Sequence, residues 1–242
     1  MSAEMETTAR PILELQDVSC LRDGAALQGV SLRFDAGSFN VLVGDAGAGL
    51  LLRLASLLER PESGEVSLFQ QPTAALDESA HCALRSRHFG FVFSSPCLLP
   101  GLSVAENVAM PLFKIHEFEP AEAADRLASA LGFVGLHSIE REDADRLTRF
   151  DQQRVALARA LAHRPAVLVL DRADQGMDGE QAGQMLEMVR KSREEFGATV
   201  LITYASHSPP DRSDRILAVE GGVVCRDTAR SAPAEAQGSS SS

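Results

Sequence analysis

The chain has 242 residues, with 23 Lys or Arg against 34 Asp or Glu and a formal net charge of −11 with neutral histidines. That balance excludes a basic protein that coats nucleic acid. The 45% hydrophobic content supports a sizeable core, and the length fits one large domain, or a core domain with an inserted subdomain, rather than two independent units.

Residues 1–10, MSAEMETTAR, carry acids and no apolar run, so they do not read as a signal peptide. No stretch approaches the ~20 apolar residues of a membrane span. ILELQDVSCL alternates as a half-buried strand does, and SLRFDAGSFNVLVG reads as two strands around a turn at Asp35-Ala36-Gly37. VLVG passes through a glycine-rich turn into LLLRLASLL, an apolar and helix-favouring run, and EVSLF follows as a short strand. From about Leu76 to His163 the pattern is mainly helical, broken in its middle by CLLPGLSVAENVAMPL. AVLVLD predicts a buried strand, Glu180–Phe196 a helix, ATVLIT another buried strand, and RILAVEGGVV a hairpin on Gly221-Gly222. Strands alternating with helices around a helical insertion predict an α/β fold. The expected organisation is a loose N-terminus over 1–10, one domain over 11–227 with a helical subdomain at about 95–160, and a disordered low-complexity tail over 228–242.

Cys20, Cys82, Cys97 and Cys225 are scattered, with no CxxC pair and no Cys/His cluster, which excludes a zinc finger or disulfide scaffold and points to free thiols in a cytoplasmic compartment. There is no Trp, one tyrosine at Tyr204, and only two lysines, Lys114 and Lys191. Lysine scarcity matters because Gly44, Gly47 and Gly49 stand at the glycine spacing of GxxxxGK[ST], a loop whose amides wrap a polyphosphate at a helix N-terminus. Leu50 holds the lysine position and Leu51 the Ser/Thr position that binds Mg²⁺. A charged hydrogen bond of the lost kind contributes about 1.5–3 kcal/mol, and two isobutyl groups would also desolvate a phosphate. Taken alone, the segment reads either as a residual phosphate loop or as a structural strand-turn-helix whose glycines serve a tight turn and close packing.

RHFGFVFSSPCLLPGLSVAENVAMPL, ADRLTRFDQQRVALARALAHRPAVLVLDRADQGMD and ATVLITYASH follow in the order of the landmarks of ABC transporter ATP-binding subunits. Over roughly residues 11 to 227 the chain resembles that family, and FGFVFSSPCLLPGLSVAENVAMPL is most similar to its lipoprotein-releasing and macrolide-exporter branch. QQRVALARALAHRPAVLVLD is the most specific stretch. The resemblance implies a P-loop NTPase-like, RecA-type core with an antiparallel β subdomain and an inserted helical subdomain. It also implies ATP and Mg²⁺ as the family's cofactors, a sister subunit or a second copy as partner, and a membrane permease to dock on from the cytoplasmic side.

The family's chemical residues are replaced in turn. Its Q-loop glutamine falls on Ser94. Its signature LSGGQ falls on Leu147-Thr148-Arg149-Phe150-Asp151, where Arg149 and Phe150 block close backbone approach to a phosphate. Asp171 retains the acid that closes the buried strand, and is a candidate either to hold Mg²⁺-bound water or to pair with an arginine. Arg172 takes the place of the general-base glutamate and cannot accept a proton; it is expected to pair with Asp171, Asp174 or Asp178. Asp178 fits the D-loop aspartate. Tyr204 occupies the switch-histidine position, with its hydroxyl expected at the edge of the old site, and His207 reads as either a substitute or a solvated loop residue. Cys20-Leu21-Arg22 stand where an adenine-stacking aromatic is used. The apolar segments Cys97-Leu98-Leu99 and Met110-Pro111-Leu112 lie where the family meets its permease, with plain core packing as the alternative. The expected protein is a pseudo-ATPase with no obligatory nucleotide; the alternative is an active ATPase energising export or lipoprotein release.

Overall fold

The computed structural model describes residues 11–115, 118–204 and 213–229. Strands β1 (Pro11–Arg22) and β2 (Ala25–Asp35) form an antiparallel hairpin across Asp23-Gly24. Positive φ at both turn residues, +49° and +79°, matches the twist of a two-residue hairpin loop. β3 (Phe39–Gly44) leaves this sheet after the Ser38 N–H has donated to the Asp35 carbonyl at 3.2 Å. The two strands expected around Asp35-Ala36-Gly37 therefore form, but in different sheets. After α1 (Ala46–Ala55), β4 (Ser63–Leu68) and β5 (Gln71–Pro72) return to the first sheet, whose order is β2-β1-β4-β5 with antiparallel pairing throughout.

Helix α2 (Glu78–His88) starts on an Asp77 cap, which accepts from the Ala80 N–H at 2.8 Å, and runs directly into β6 (Phe89–Phe93). β6 corrects the mainly helical reading of the stretch from Leu76 to His163. FGFVF pairs in parallel with the later strand AVLVLD, and its β-favouring aromatics override the helical context on either side. The helical part then comprises α3 (Val104–Ile115), α4 (Pro120–Phe133) and α5 (Arg149–Ala162). Strand β7 (Val167–Asp171), helix α6 (Gly179–Phe196), and strands β8 (Thr199–Thr203), β9 (Arg215–Glu220) and β10 (Val223–Ala229) complete the chain. The second sheet runs β10-β9-β3-β8-β7-β6, parallel except for the β9–β10 hairpin on Gly221-Gly222. β10 reaches Ala229, two residues into the stretch expected to be tail.

The central strands are apolar without alternation because both faces are covered. Leu42, Val169 and Leu201 face α1 and the small sheet, while Val41, Leu168, Leu170, Val200 and Ile202 face the layer containing α3, α4, α5 and α6. α1 is sandwiched between the two sheets. Gly47, Ala48, Leu50, Leu51, Leu52, Leu54 and Ala55 are all buried on it, so it behaves as a core helix with little polar face.

Candidate functional site

The carboxyl ends of β3, β8, β7 and β6 lie side by side, with Leu42 opposite Thr203, Thr203 opposite Asp171, and Asp171 opposite Phe93. In open parallel sheets this is where ligands bind, and the residues singled out from the sequence converge on it. β3 delivers Gly44 with φ +126°; a Cβ there would lie 2.0 Å from the Val219 carbonyl oxygen, so the close approach of β9 requires glycine. Asp45 follows as the cap of α1. Its Oδ1 accepts from the Gly47 N–H at 2.7 Å, its Oδ2 from the Gly221 N–H at 2.9 Å, and its carbonyl from the Ala48 N–H at 3.1 Å.

The stretch Gly44–Gly49 is thus a strand end and a full helical turn rather than an open loop, since α1 begins at Ala46. A carboxylate of the chain itself sits on the positive end of the helix, where an incoming anion would bind. Leu50 and Leu51 are 0% exposed and belong to the core between the sheets. Gly47 is also needed for packing, because a Cβ would meet Asp45 Oδ1 and Val219 Cγ1 at 2.9 Å.

At the next strand ends Thr203 Oγ1 donates to Asp171 Oδ1 at 2.9 Å and accepts from the Arg172 N–H at 3.1 Å. Arg172, in the left-handed region at φ +46°, places Nε 3.9 Å from Asp171 Oδ1, which is the ion pair expected for it. Tyr204 packs against the helical side of the core. Its hydroxyl is buried with no hydrogen-bond partner among the described residues. Burial, helped by the charge of Asp174, pushes the phenol well above its ordinary range. Asp178 caps α6 by accepting from the Gln181 N–H at 2.8 Å, and His207 lies outside the described residues.

The Ser94 position and the signature position are tied together within the chain. Thr148 caps α5, accepting from the Asp151 N–H at 3.2 Å and donating to Asp151 Oδ2 at 2.8 Å. This is a threonine N-cap whose hydroxyl is in turn held by the Asp151 carboxylate. Arg149 donates to the Ser94 carbonyl. Gln153, 0% exposed, donates to the Phe93 and Ser94 carbonyls at 2.9 Å each. Phe150 lies under the Arg154 guanidinium at 5.7 Å. At the adenine-stacking position Cys20 is buried, Leu21 is exposed, and Arg22 pairs with Glu62 at 3.3 Å. Lys191 Nζ stands 3.9 Å from Glu187 on α6, and Lys114 falls within α3.

Sequence reasoning missed Asp45, Thr203 and Gln153. Asp45 carried a readable signal, an acid directly before a helix-favouring run. Thr203 carried none, because its role depends on β7 and β8 being neighbours. Among the described residues no group of three or more His, Cys, Asp or Glu has metal-binding geometry.

A family model described as "ABC transporter" matches residues 27–175. The chain is 35% identical over 233 residues to the lipoprotein-releasing system ATP-binding protein LolD of Anaeromyxobacter dehalogenans, covering 92% of this chain and 96% of that one. It is 34% identical over 224 residues to the methionine import ATP-binding protein MetN of Brucella abortus, covering 91% of this chain and 60% of MetN. Among solved structures, the ATP-binding cassette MJ0796, captured as a dimer bound to ADP and Pi, aligns with a TM-score of 0.78 at 26% identity, covering 90% of this chain and 98% of that one.

Proposed function

Because the chain belongs to the ABC transporter family, we propose that this ATP-binding-subunit homologue is a pseudo-ATPase, a structural or regulatory subunit that acts through protein contacts. The observation that carries the reading is the closed helix entrance at Asp45. At the helix entrance the Gly47 N–H already donates to the Asp45 carboxylate and the Ala48 N–H to the Asp45 carbonyl, and the cation and metal-hydroxyl positions are core leucines. These residues do not fit Mg²⁺-ATP. Asp171 is held by Thr203 and Arg172, and Arg172 has no basic lone pair with which to activate water. No nucleotide is obligatory on this reading, and no nucleic acid is a partner.

The lipoprotein-releasing relatives and the dimeric cassettes support a place beside a membrane permease, with a sister ATP-binding subunit or a second copy as the other partner. No helix among the described residues is long and apolar enough to cross a membrane, so the membrane is reached through that permease, from the cytoplasmic side. The competing reading, a working ATPase, rests on Asp171 and on the glycines at 44, 47 and 49. Calorimetric titration with Mg²⁺-ATP separates the two, because micromolar binding would overturn the claim of a defunct phosphate site. Recovery from native membranes as a free monomer, with neither permease nor sister subunit, would overturn the partner claim.

A further inference from the structure

A cavity of about 200 Å³ lies where the chain leaves the C-terminal end of α1, walled by the segment after that helix, by β4 and by His81 of α2. This is the opposite end of α1 from Asp45. Three carboxylates line it, those of Glu59, Glu62 and Glu65, and each is held through Oε1 alone among the described residues. Arg53 holds Glu59, Arg22 holds Glu62 at 3.3 Å, and the Thr73 and Ala74 N–H groups hold Glu65 at 2.9 and 3.1 Å. Glu65 therefore carries a charge whose donors are backbone amides, and Glu59 Oε2 is buried with no partner among the described residues. The guanidinium in the wall, Arg60, is committed to the Leu76 carbonyl at 3.0 Å and to Glu78 at 3.5 Å. His81 is 3% exposed, and its ring makes no hydrogen bond with any described residue. Buried polar side chains are partnered as a rule. Burial, together with the charges of Arg60 and Arg85, lowers the His81 pKa against the opposing pull of Glu78, so the ring is neutral and offers the cavity a lone pair. The negative end of the α1 dipole also favours a cation here.

We propose that this cavity binds a small organic ammonium, a primary amine of a few heavy atoms, whose N–H groups donate to the Glu65 carboxylate and to the ring nitrogen of His81. Charge and donor set select the class. An anion would face three carboxylates, and an apolar molecule would leave Glu65 and His81 without partners. No group of three or more His, Cys, Asp or Glu among the described residues has metal-binding geometry, so the cation is an organic one. The volume lies below the ~300–1,000 Å³ of drug-sized pockets, which limits the ligand to a small molecule. The site requires neither an intact nor a lost phosphate loop, and so stands apart from the pseudo-ATPase reading.

The test titrates the full chain with ethylammonium chloride at constant ionic strength, reading the His81 ring nitrogens by NMR and the melting temperature by calorimetry. The His81 resonances are expected to shift saturably while those of the exposed His137 stay in place, and the melting temperature to rise by about 3–6 °C at tenfold the Kd. Glu65→Gln, which keeps the Oε1 acceptor for both amides and removes the charge, is expected to weaken binding by about tenfold or more, as is His81→Phe. Ala74→Arg, at an exposed position on the cavity wall, adds a competing cation without altering a buried side chain and is expected to weaken binding as well; melts of each variant are the folding control. The proposal is overturned if ethylammonium moves neither His81 nor the melt, if Mg²⁺ or 1-propanol reproduces the shift, or if Glu65→Gln and Ala74→Arg bind as tightly as wild type. Tighter binding of acetyl-lysine amide than of ethylammonium would assign the cavity to a lysine of a protein partner and overturn the small-molecule reading.

Discussion

Asp45 is the position at which this reading of the site is most exposed to experiment. Its carboxylate holds two amides, that of Gly47 at 2.7 Å in the first turn of α1 and that of Gly221 at 2.9 Å in the β9–β10 turn. Replacing an N-cap acid with Ala costs about 0.5–2 kcal/mol. The second bond, which clips the β9–β10 turn to the helix entrance, adds on the order of 1 kcal/mol. Asp45→Ala is therefore expected to lose about 2 kcal/mol, or roughly 4–8 °C of melting temperature for a chain of this size. Asp45→Asn, which keeps an acceptor but loses the charge on the helix dipole, should fall between the two. The assay is differential scanning calorimetry with and without inorganic phosphate or Mg²⁺-ATP. Wild type should not shift with either anion, whereas the Ala variant, with its helix entrance uncovered, should regain part of its loss in phosphate. An Asp45→Ala protein that melts within 1 °C of wild type, or a wild type stabilised by Mg²⁺-ATP, would refute the idea that the chain occupies its own phosphate site.

Three further outcomes follow from the packing. Leu50→Lys with Leu51→Ser, which restores the P-loop residues on paper, puts an ammonium and a hydroxyl where both side chains are 0% exposed. It should cost at least about 4 kcal/mol in urea denaturation and return no phosphate release, and robust hydrolysis would show that Arg149, Phe150, Arg172 and Tyr204 are not obstacles. His163, 8% exposed, has its pKa lowered to about 4, chiefly by burial. The unfolded chain, with its imidazole near ~6.5, then binds the extra proton first. Stability is fully present above pH 6.5 and falls by up to about 3 kcal/mol as pH drops through 4. His163→Gln should flatten that part of the stability–pH profile, and an unchanged profile would count against a neutral buried imidazole. Tyr204→Phe removes a buried hydroxyl that has no hydrogen-bond partner among the described residues, so the variant should be as stable as wild type or up to about 1 kcal/mol more stable. A loss above 1 kcal/mol would mean that the phenol has a partner.

The fold was legible where local pattern and burial agree. VLVG, AVLVLD and ATVLIT are apolar at every position because helices or a second sheet cover both faces, and the Gly221-Gly222 hairpin follows from turn chemistry. FGFVF was absorbed into a helical reading because five residues between helical patterns carry too short a period. Its strand character comes from pairing with β7, a partner 78 residues further along the chain from Phe89 to Val167. The proposed loss of the P-loop lysine, the metal hydroxyl and the general base rests on residue type alone, since Leu50 and Leu51 carry neither charge nor hydroxyl and the Arg172 guanidinium accepts no proton.

What the sequence determined by itself is which side-chain types stand at Leu50, Leu51 and Arg172 and which architecture its buried runs demand, since both follow from residue type and period. Tertiary structure alone decided what the residues around those positions touch. Asp45 reaches Gly221, 176 residues away; Thr203 bridges Asp171 and Arg172 because β8 lies beside β7; and Arg149 and Gln153 fasten α5 to the end of β6. Each is a hydrogen bond of a few ångströms between residues far apart in the chain. Such contacts depend on which strands become neighbours, and no local pattern of residues encodes them.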